Sequence, residues 1–134
     1  MASLHTKITY VALPLTCPFD PKGPFELTEG QDLEIEFSGF PSGSTLDQLS
    51  LVGVPPTEGF VYFPPQRGTE GIFHITDNGK QPGTGLIITV EDREKPPTDA
   101  RYKLALTGGN GSGGKWLADP EVINKPGQEL GVSP

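Results

Sequence analysis

The chain has 134 residues, of which 18 are Gly and 15 are Pro, and 34% are hydrophobic. This much Gly and Pro excludes a helical bundle, a coiled coil and a helix-rich α/β enzyme, because both residues destabilise helix interiors. The net charge of −7, without a basic stretch, argues against nucleic acid and membrane surfaces as partners.

Strands are predicted in the first half of the chain from short apolar runs. The first runs from residue 5 to 13, and a proline-rich, irregular connection follows it. The clearest strand is 32–38, where Leu33, Ile35 and Phe37 alternate with acidic residues, as in a strand with one solvated face.

Strands in the second half are predicted at 46–54, 60–63, 71–76, 85–90, 100–107 and 115–118, with an extension at Val122-Ile123. The segment 60–63 is expected at a sheet edge, because two prolines follow it. Segments 71–76 and 85–90 are expected to pair across a polar loop that contains the turn signal Asn78-Gly79. The nearly continuous apolar run 86–90 predicts a central strand covered on both faces.

About seven to nine short strands at roughly 8–15-residue spacing predict an all-β, Greek-key sandwich, with a closed barrel as the alternative. Residues 1–124 are expected to form one domain, and the Gly, Pro and polar residues of 125–134 a flexible tail. The residues predicted to be buried are Leu33, Ile35, Phe37, Ile88, Tyr102, Leu104 and Leu106.

One segment resembles a known family. Residues 86–90, a charged corner and the run 99–104 resemble the E strand, E–F corner and F strand of immunoglobulin-like domains. In that family a tyrosine, here Tyr102, bonds back to the corner backbone. The match is incomplete, because Asp99 precedes Tyr102 by three residues instead of four and the family's two cysteines are absent. The resemblance implies a fold class and no function.

The single cysteine, Cys17, excludes an intrachain disulfide. Small secreted domains usually carry disulfides, and no signal sequence is visible, so a cytoplasmic location is expected. No apolar stretch reaches the roughly 20 residues needed to span a bilayer.

Metal and catalytic sites find little support in the sequence, so no cofactor is predicted. A blue-copper site would need His5, His74 and Cys17, none of which falls between Tyr102 and Trp116, where such ligands cluster. His74 alternates with apolar neighbours and is predicted to face solvent rather than to act in catalysis.

Calcium stays open as an alternative. Asp92, Glu94 and Asp99 gather in one corner, and Asp77-Asn78 begin another loop, and their oxygens suit a hard cation. Basic residues interleave with the corner acids, as is typical of a solvated corner.

The segment Gly108–Gly114 predicts a flexible loop and lacks the Lys-Ser/Thr ending of a phosphate-binding loop. Within it, Asn110-Gly111-Ser112 matches a glycosylation acceptor. Trp116, just beyond, could stack on a sugar ring, but packing in the core is the favoured interpretation.

These patterns favour a non-enzymatic binding or assembly module that contacts a protein partner, or a second copy, through loops or an edge strand. Phe60 and Tyr62 are the candidate partner-binding residues, because a short edge strand seldom buries both faces. The competing interpretation is that neighbouring loops cover them. A carbohydrate-binding or lectin-like domain that uses Trp116 and loop acids, with or without calcium, is the alternative function, and a small hydrolase is the third.

Overall fold

The computed structural model describes residues 3–12, 15–54, 60–62, 68–69, 73–93 and 95–127. Regular structure in these residues is almost all β, with one short 3₁₀ helix, η1, at Pro82–Thr84. The strands are β1 (Leu4–Thr9), β2 (Val11–Ala12), β3 (Leu15–Thr16), β4 (Phe19–Asp20), β5 (Phe25–Leu27), β6 (Asp32–Ser38), β7 (Gln48–Val54), β8 (Phe60–Tyr62), β9 (Gly68–Thr69), β10 (Phe73–Asp77), β11 (Ile87–Asp92), β12 (Ala100–Gly109), β13 (Lys115–Ala118) and β14 (Glu121–Asn124).

Two sheets pack face to face as a β-sandwich, which confirms the predicted all-β sandwich architecture. The first sheet has the strand order β4-β1-β6-β11-β10-β9. The second has the order β5-β14-β12-β7-β8. β14 pairs with the first part of β12, and β13 pairs with its last part. β2 and β3 form a separate two-stranded ribbon. The chain crosses between the layers, so that β6 and β7, and likewise β11 and β12, lie in opposite sheets.

The pattern of β6 explains its place in the first sheet. Leu33, Ile35 and Phe37 are buried, whereas Glu34 between them is exposed. Because side chains alternate along a strand, the apolar set faces the second sheet and the acidic set faces outward. β6 pairs in parallel with β1 and antiparallel with β11, so it lies inside the sheet as its apolar content requires.

The predicted core is confirmed at six of its seven positions, and Tyr102 is the correction. Tyr102 is half-buried and packs against the margin of the core, edge-on to Phe73 with ring centroids 5.5 Å apart. A phenol has a polar end, so partial burial lets the ring contribute contact area without burying all of the side chain. The six confirmed residues are Leu33, Ile35, Phe37, Ile88, Leu104 and Leu106.

Three strand predictions are corrected in detail. The first strand divides into β1 and β2 at Tyr10, whose backbone N–H donates to the Ser38 carbonyl at 3.0 Å. The proline-rich connection contains β4 and β5, which pair with β1 and β14. β11 is central, but only alternate residues are buried, and Ile87 and Thr89 on its other face are half-buried.

The predicted domain boundary falls at the end of β14. Beyond it, the Lys125 N–H donates to the Leu27 carbonyl at 2.8 Å, which ties the first residue of the predicted tail to the domain. The rest of that prediction, from residue 128 to 134, lies outside the described residues. In the described part of the chain, no helix is long and apolar enough to cross a membrane.

Candidate functional site: a packed loop platform

Three connections meet at one end of the sandwich, and we call them the loop platform: residues 41–45 after β6, 78–85 after β10 and 110–114 after β12. Glycines allow the close approach of these connections. A Cβ on Gly83 would collide with the Pro41 carbonyl oxygen, and one on Gly111 would lie 2.9 Å from the Ser42 carbonyl oxygen. The three connections therefore form one packed surface rather than separate loops.

The segment 110–114, which falls within the predicted flexible loop, forms a turn that its own asparagine closes with hydrogen bonds. Asn110 Oδ1 accepts hydrogen bonds from the backbone N–H groups of Ser112 at 2.8 Å and Gly114 at 3.0 Å. Its Nδ2 donates to the Tyr10 hydroxyl at 3.3 Å, which joins the loop to the residue that follows β1. The preceding Gly108 and Gly109 belong to β12.

The segment 78–85 is held in the same way. Asn78 Oδ1 accepts from the N–H groups of Lys80 at 3.2 Å and Ile87 at 3.1 Å, and its Nδ2 donates to the Gly85 carbonyl at 3.0 Å. Gly79 has a φ of 79°, and its N–H donates to Asp77 Oδ1 at 2.6 Å. The predicted Asn-Gly turn is confirmed, because glycine accepts this left-handed conformation without steric cost.

An aromatic cluster supports the platform from below. Trp116 lies edge-on to Phe40 and Phe37, with ring centroids 5.1 and 5.8 Å apart, and Tyr10 packs on Phe40 at 5.3 Å. The indole Nε1–H donates to the Thr45 carbonyl at 2.9 Å, and Trp116 is only 1% exposed. Stacking on a sugar needs an open indole face, which the buried Trp116 lacks. The structure therefore supports the favoured interpretation of Trp116 as a core residue.

The platform is poor in charge. Lys80 is its only charged residue, although 20% of the whole chain is charged. Its exposed residues are instead small or carry hydroxyl and amide groups: Ser42, Gly43, Asn78, Gly79, Gln81, Thr84, Gly85, Gly111, Ser112, Gly113 and Gly114. The platform therefore offers hydrogen-bonding groups that need little desolvation compared with carboxylates.

Of the proposed calcium ligands of the corner, the structure describes Asp92 and Asp99, whose environments differ. Asp92 is buried with 0% exposure at the end of β11, whereas Asp99 is exposed and accepts a hydrogen bond from Lys125 Nζ at 3.2 Å. Glu94 lies outside the described residues. Among the residues that are described, no group of three or more His, Cys, Asp or Glu side chains could hold a metal ion.

The two histidines lie on different strands of the first sheet. His5 on β1 has its Nε2 3.3 Å from Glu36 Oε1 on the neighbouring strand. His74 on β10 is half-buried and is opposite Glu91 in the ladder, so the prediction that it faces solvent holds only in part.

Phe60 and Tyr62 lie on β8, which is at the end of the second sheet among the described strands, as predicted for an edge strand. Phe60 is opposite Leu51 and Tyr62 is opposite Leu49 in the ladder with β7. The side chains of β8 lie outside the described part of the structure, so partner binding by these two residues stays a prediction.

Cys17 is a free, half-buried thiol that packs against the margin of the core. Burial raises the pKa of the Cys17 thiol above its ordinary value, and a hydrogen bond with the Leu117 backbone opposes this rise with a smaller effect. Folding therefore disfavours the thiolate. The contribution of this group to stability is constant near neutral pH and falls as pH rises past the ordinary thiol pKa of about 8.5.

We expect iodoacetamide to label Cys17 several times more slowly in the native chain than in the chain unfolded in guanidinium at the same mildly alkaline pH. The thiolate is the reacting species, and the native pKa leaves less of it. Mass spectrometry of quenched samples measures both rates. Equal rates in the two states would contradict the burial of the thiol.

A scan against protein-family models finds no match for this chain, and a search of curated proteins also finds none.

Proposed function

We propose that this chain is a non-enzymatic binding module of immunoglobulin-like topology that contacts a protein partner through the loop platform. The observation that carries the proposal is the joining of three connections, from both sheets, into one closely packed, hydrogen-bonded and nearly uncharged surface. Loops held by a sandwich are a common place for binding residues.

The strand order supports the topological part. Immunoglobulin domains have strands A, B, E and D in one sheet and G, F, C and C′ in the other. The order β1-β6-β11-β10 in one layer and β14-β12-β7-β8 in the other can be written in those letters, with the difference that β1 pairs with β6 in parallel, whereas the immunoglobulin sheets are antiparallel. On this assignment the segments 41–45 and 110–114 are the B–C and F–G loops, which lie at the end used for recognition in variable domains.

The composition of the platform supports the functional part. Ser, Gly and Asn are enriched in antibody recognition loops, where they supply adaptable hydrogen bonds, and charged residues are depleted at the centre of protein interfaces. The hydrogen bonds of Asn78 and Asn110 hold the loops before any partner arrives, and a preformed surface loses less entropy on binding.

The single cysteine supports a cytoplasmic site of action.

The test places a photo-crosslinking residue at Ser112 or at Ser42, in cells of the natural host, with Thr98 as the matched exposed control at the other end of the sandwich. We expect one protein to crosslink from both platform positions and not from Thr98. With that protein purified, the Ser112→Trp change should weaken binding at least about tenfold, because a bulky side chain at an interface centre blocks close packing. Thr98→Trp should leave affinity and melting temperature unchanged.

The same experiment separates the platform from the edge strand. If the double change Phe60→Ser and Tyr62→Ser abolishes binding without lowering the melting temperature, whereas Ser112→Trp has no effect, then β8 is the contact surface and the platform proposal fails. If the double change unfolds the domain, the two aromatics belong to the core.

A further inference from the structure

The chain contains two Asn-Gly pairs, Asn78-Gly79 and Asn110-Gly111, and both lie in the loop platform. An Asn-Gly pair can react with itself, because the glycine nitrogen has little steric hindrance and can attack the asparagine side-chain carbonyl. In both pairs that carbonyl oxygen accepts two backbone N–H groups. Donors of this kind stabilise the negative charge that develops on the oxygen during attack. The side-chain carbonyl carbon of the asparagine is therefore activated for attack in the same way at the two sites.

The attacking nitrogens differ. The N–H of Gly79 donates a hydrogen bond of 2.6 Å to the Asp77 carboxylate. Gly111 is exposed, and its N–H donates no hydrogen bond within the described part of the chain. Attack by Gly79 must break a hydrogen bond to a charged acceptor, which is among the stronger hydrogen bonds in proteins, whereas attack by Gly111 breaks none to the protein.

The leaving amides differ in the same direction. Nδ2 of Asn78 donates to the Gly85 carbonyl at 3.0 Å, inside the same compact loop. Nδ2 of Asn110 donates to the Tyr10 hydroxyl at 3.3 Å, a longer bond to a side chain. The Asn110 side chain therefore breaks a weaker Nδ2 hydrogen bond than Asn78 does when it turns toward the nitrogen of the following glycine.

We propose that Asn110 is a site of spontaneous deamidation and that Asn78 is protected by the fold. The Gly111 nitrogen bonds to Cγ of Asn110 while a base from solvent takes its proton. The bond from Cγ to Nδ2 breaks, and the nitrogen leaves as ammonia after taking a proton from water. The resulting cyclic imide adds a water molecule, and opening at either carbonyl gives Asp or isoaspartate.

The modification changes the platform chemically. Either product replaces the Nδ2–H donor to the Tyr10 hydroxyl with an oxygen and adds one negative charge to a surface whose only charged residue is Lys80. Isoaspartate also lengthens the backbone by a carbon atom in the turn that joins β12 to β13. Deamidation of Asn110 therefore alters the surface proposed for binding, although the reaction does not depend on that function.

The test compares two sites within one molecule. The folded full chain is incubated at 37 °C near neutral pH, and peptide mapping by mass spectrometry follows conversion at Asn110 and Asn78. We expect Asn110 to convert at least about tenfold faster, the rate equivalent of one hydrogen bond to a charged group. In guanidinium the two sites should convert at similar rates, because the protection of Asn78 comes from the fold.

Asp77→Ala removes the acceptor for the Gly79 N–H, so it should accelerate conversion at Asn78. The rate at Asn110 should not change in this variant, which also shows that the fold is retained. Equal rates at the two sites of the folded chain, or a faster Asn78, would overturn the proposal. A folded chain that stays unmodified at Asn110, over the time in which the unfolded chain is half converted, would overturn it as well.

Discussion

Replacing Phe37 with Ala is expected to lower the free energy of unfolding by about 3–5 kcal/mol. Phe37 is 3% exposed on the inner face of β6. The centroid of its ring lies 5.5 Å from that of Phe40 and 5.8 Å from that of Trp116. Removing it loses the transfer free energy of the ring and leaves a cavity within the aromatic cluster. The strands around this position are hydrogen-bonded on both sides of β6, so the site can collapse only in part.

Chemical denaturation measures this effect, and Leu117→Ala is its control. Leu117 is 61% exposed on β13, so its truncation should change stability by no more than about 0.5 kcal/mol. The m-values of both variants should match that of the wild type, because neither change alters the extent of the surface exposed on unfolding. A loss below about 1 kcal/mol for Phe37→Ala would mean that the ring is not in a packed core.

The strands could be predicted because their signal is local. The alternation of Leu33, Ile35 and Phe37 with acids sets both the identity of β6 and the face that it buries, whatever lies across from it. The pairing of β10 with β11 is also local, since they are consecutive strands and the connection 78–86 between them begins with the turn signal Asn78-Gly79. Half-burial of Tyr102 has no such local signal, because its ring packs against Phe73, which lies in the other sheet.

The loop platform could not be predicted, because its contacts join distant parts of the chain. Composition alone indicates flexibility for the glycines after Leu106, yet Asn110 closes the turn and bonds to Tyr10, which is 100 residues away. The hydrogen bond from Trp116 to the Thr45 carbonyl spans 71 residues. The sequence does hold a partial signal, an asparagine within a glycine run, because Asn side chains commonly bond to nearby backbone in turns.

Replacing Gly108 with Ala is expected to destabilise the domain by about 3 kcal/mol or more, the upper end of the usual cost of overpacking. The added Cβ would overlap the Thr45 carbonyl oxygen and would lie 2.7 Å from the indole Nε1 of Trp116. These two atoms are the partners of the hydrogen bond that joins the platform to the aromatic cluster. One of these atoms belongs to the backbone and the other to a buried ring, so moving either one away from the added Cβ would cost packing energy.

Gly109→Ala is the matched control in the next position of β12. Its Cβ would lie 3.4 Å from Thr45 Oγ1 and 3.8 Å from the Gly114 carbonyl oxygen, which is ordinary contact, so stability should change by no more than about 1 kcal/mol. Thermal unfolding of both variants, followed by tryptophan fluorescence, reports on the site directly, because Trp116 is the only tryptophan. If Gly108→Ala proves as stable as Gly109→Ala, with unchanged Trp116 emission, then the glycine is a flexible linker residue, and 41–45 does not pack against β12 as described.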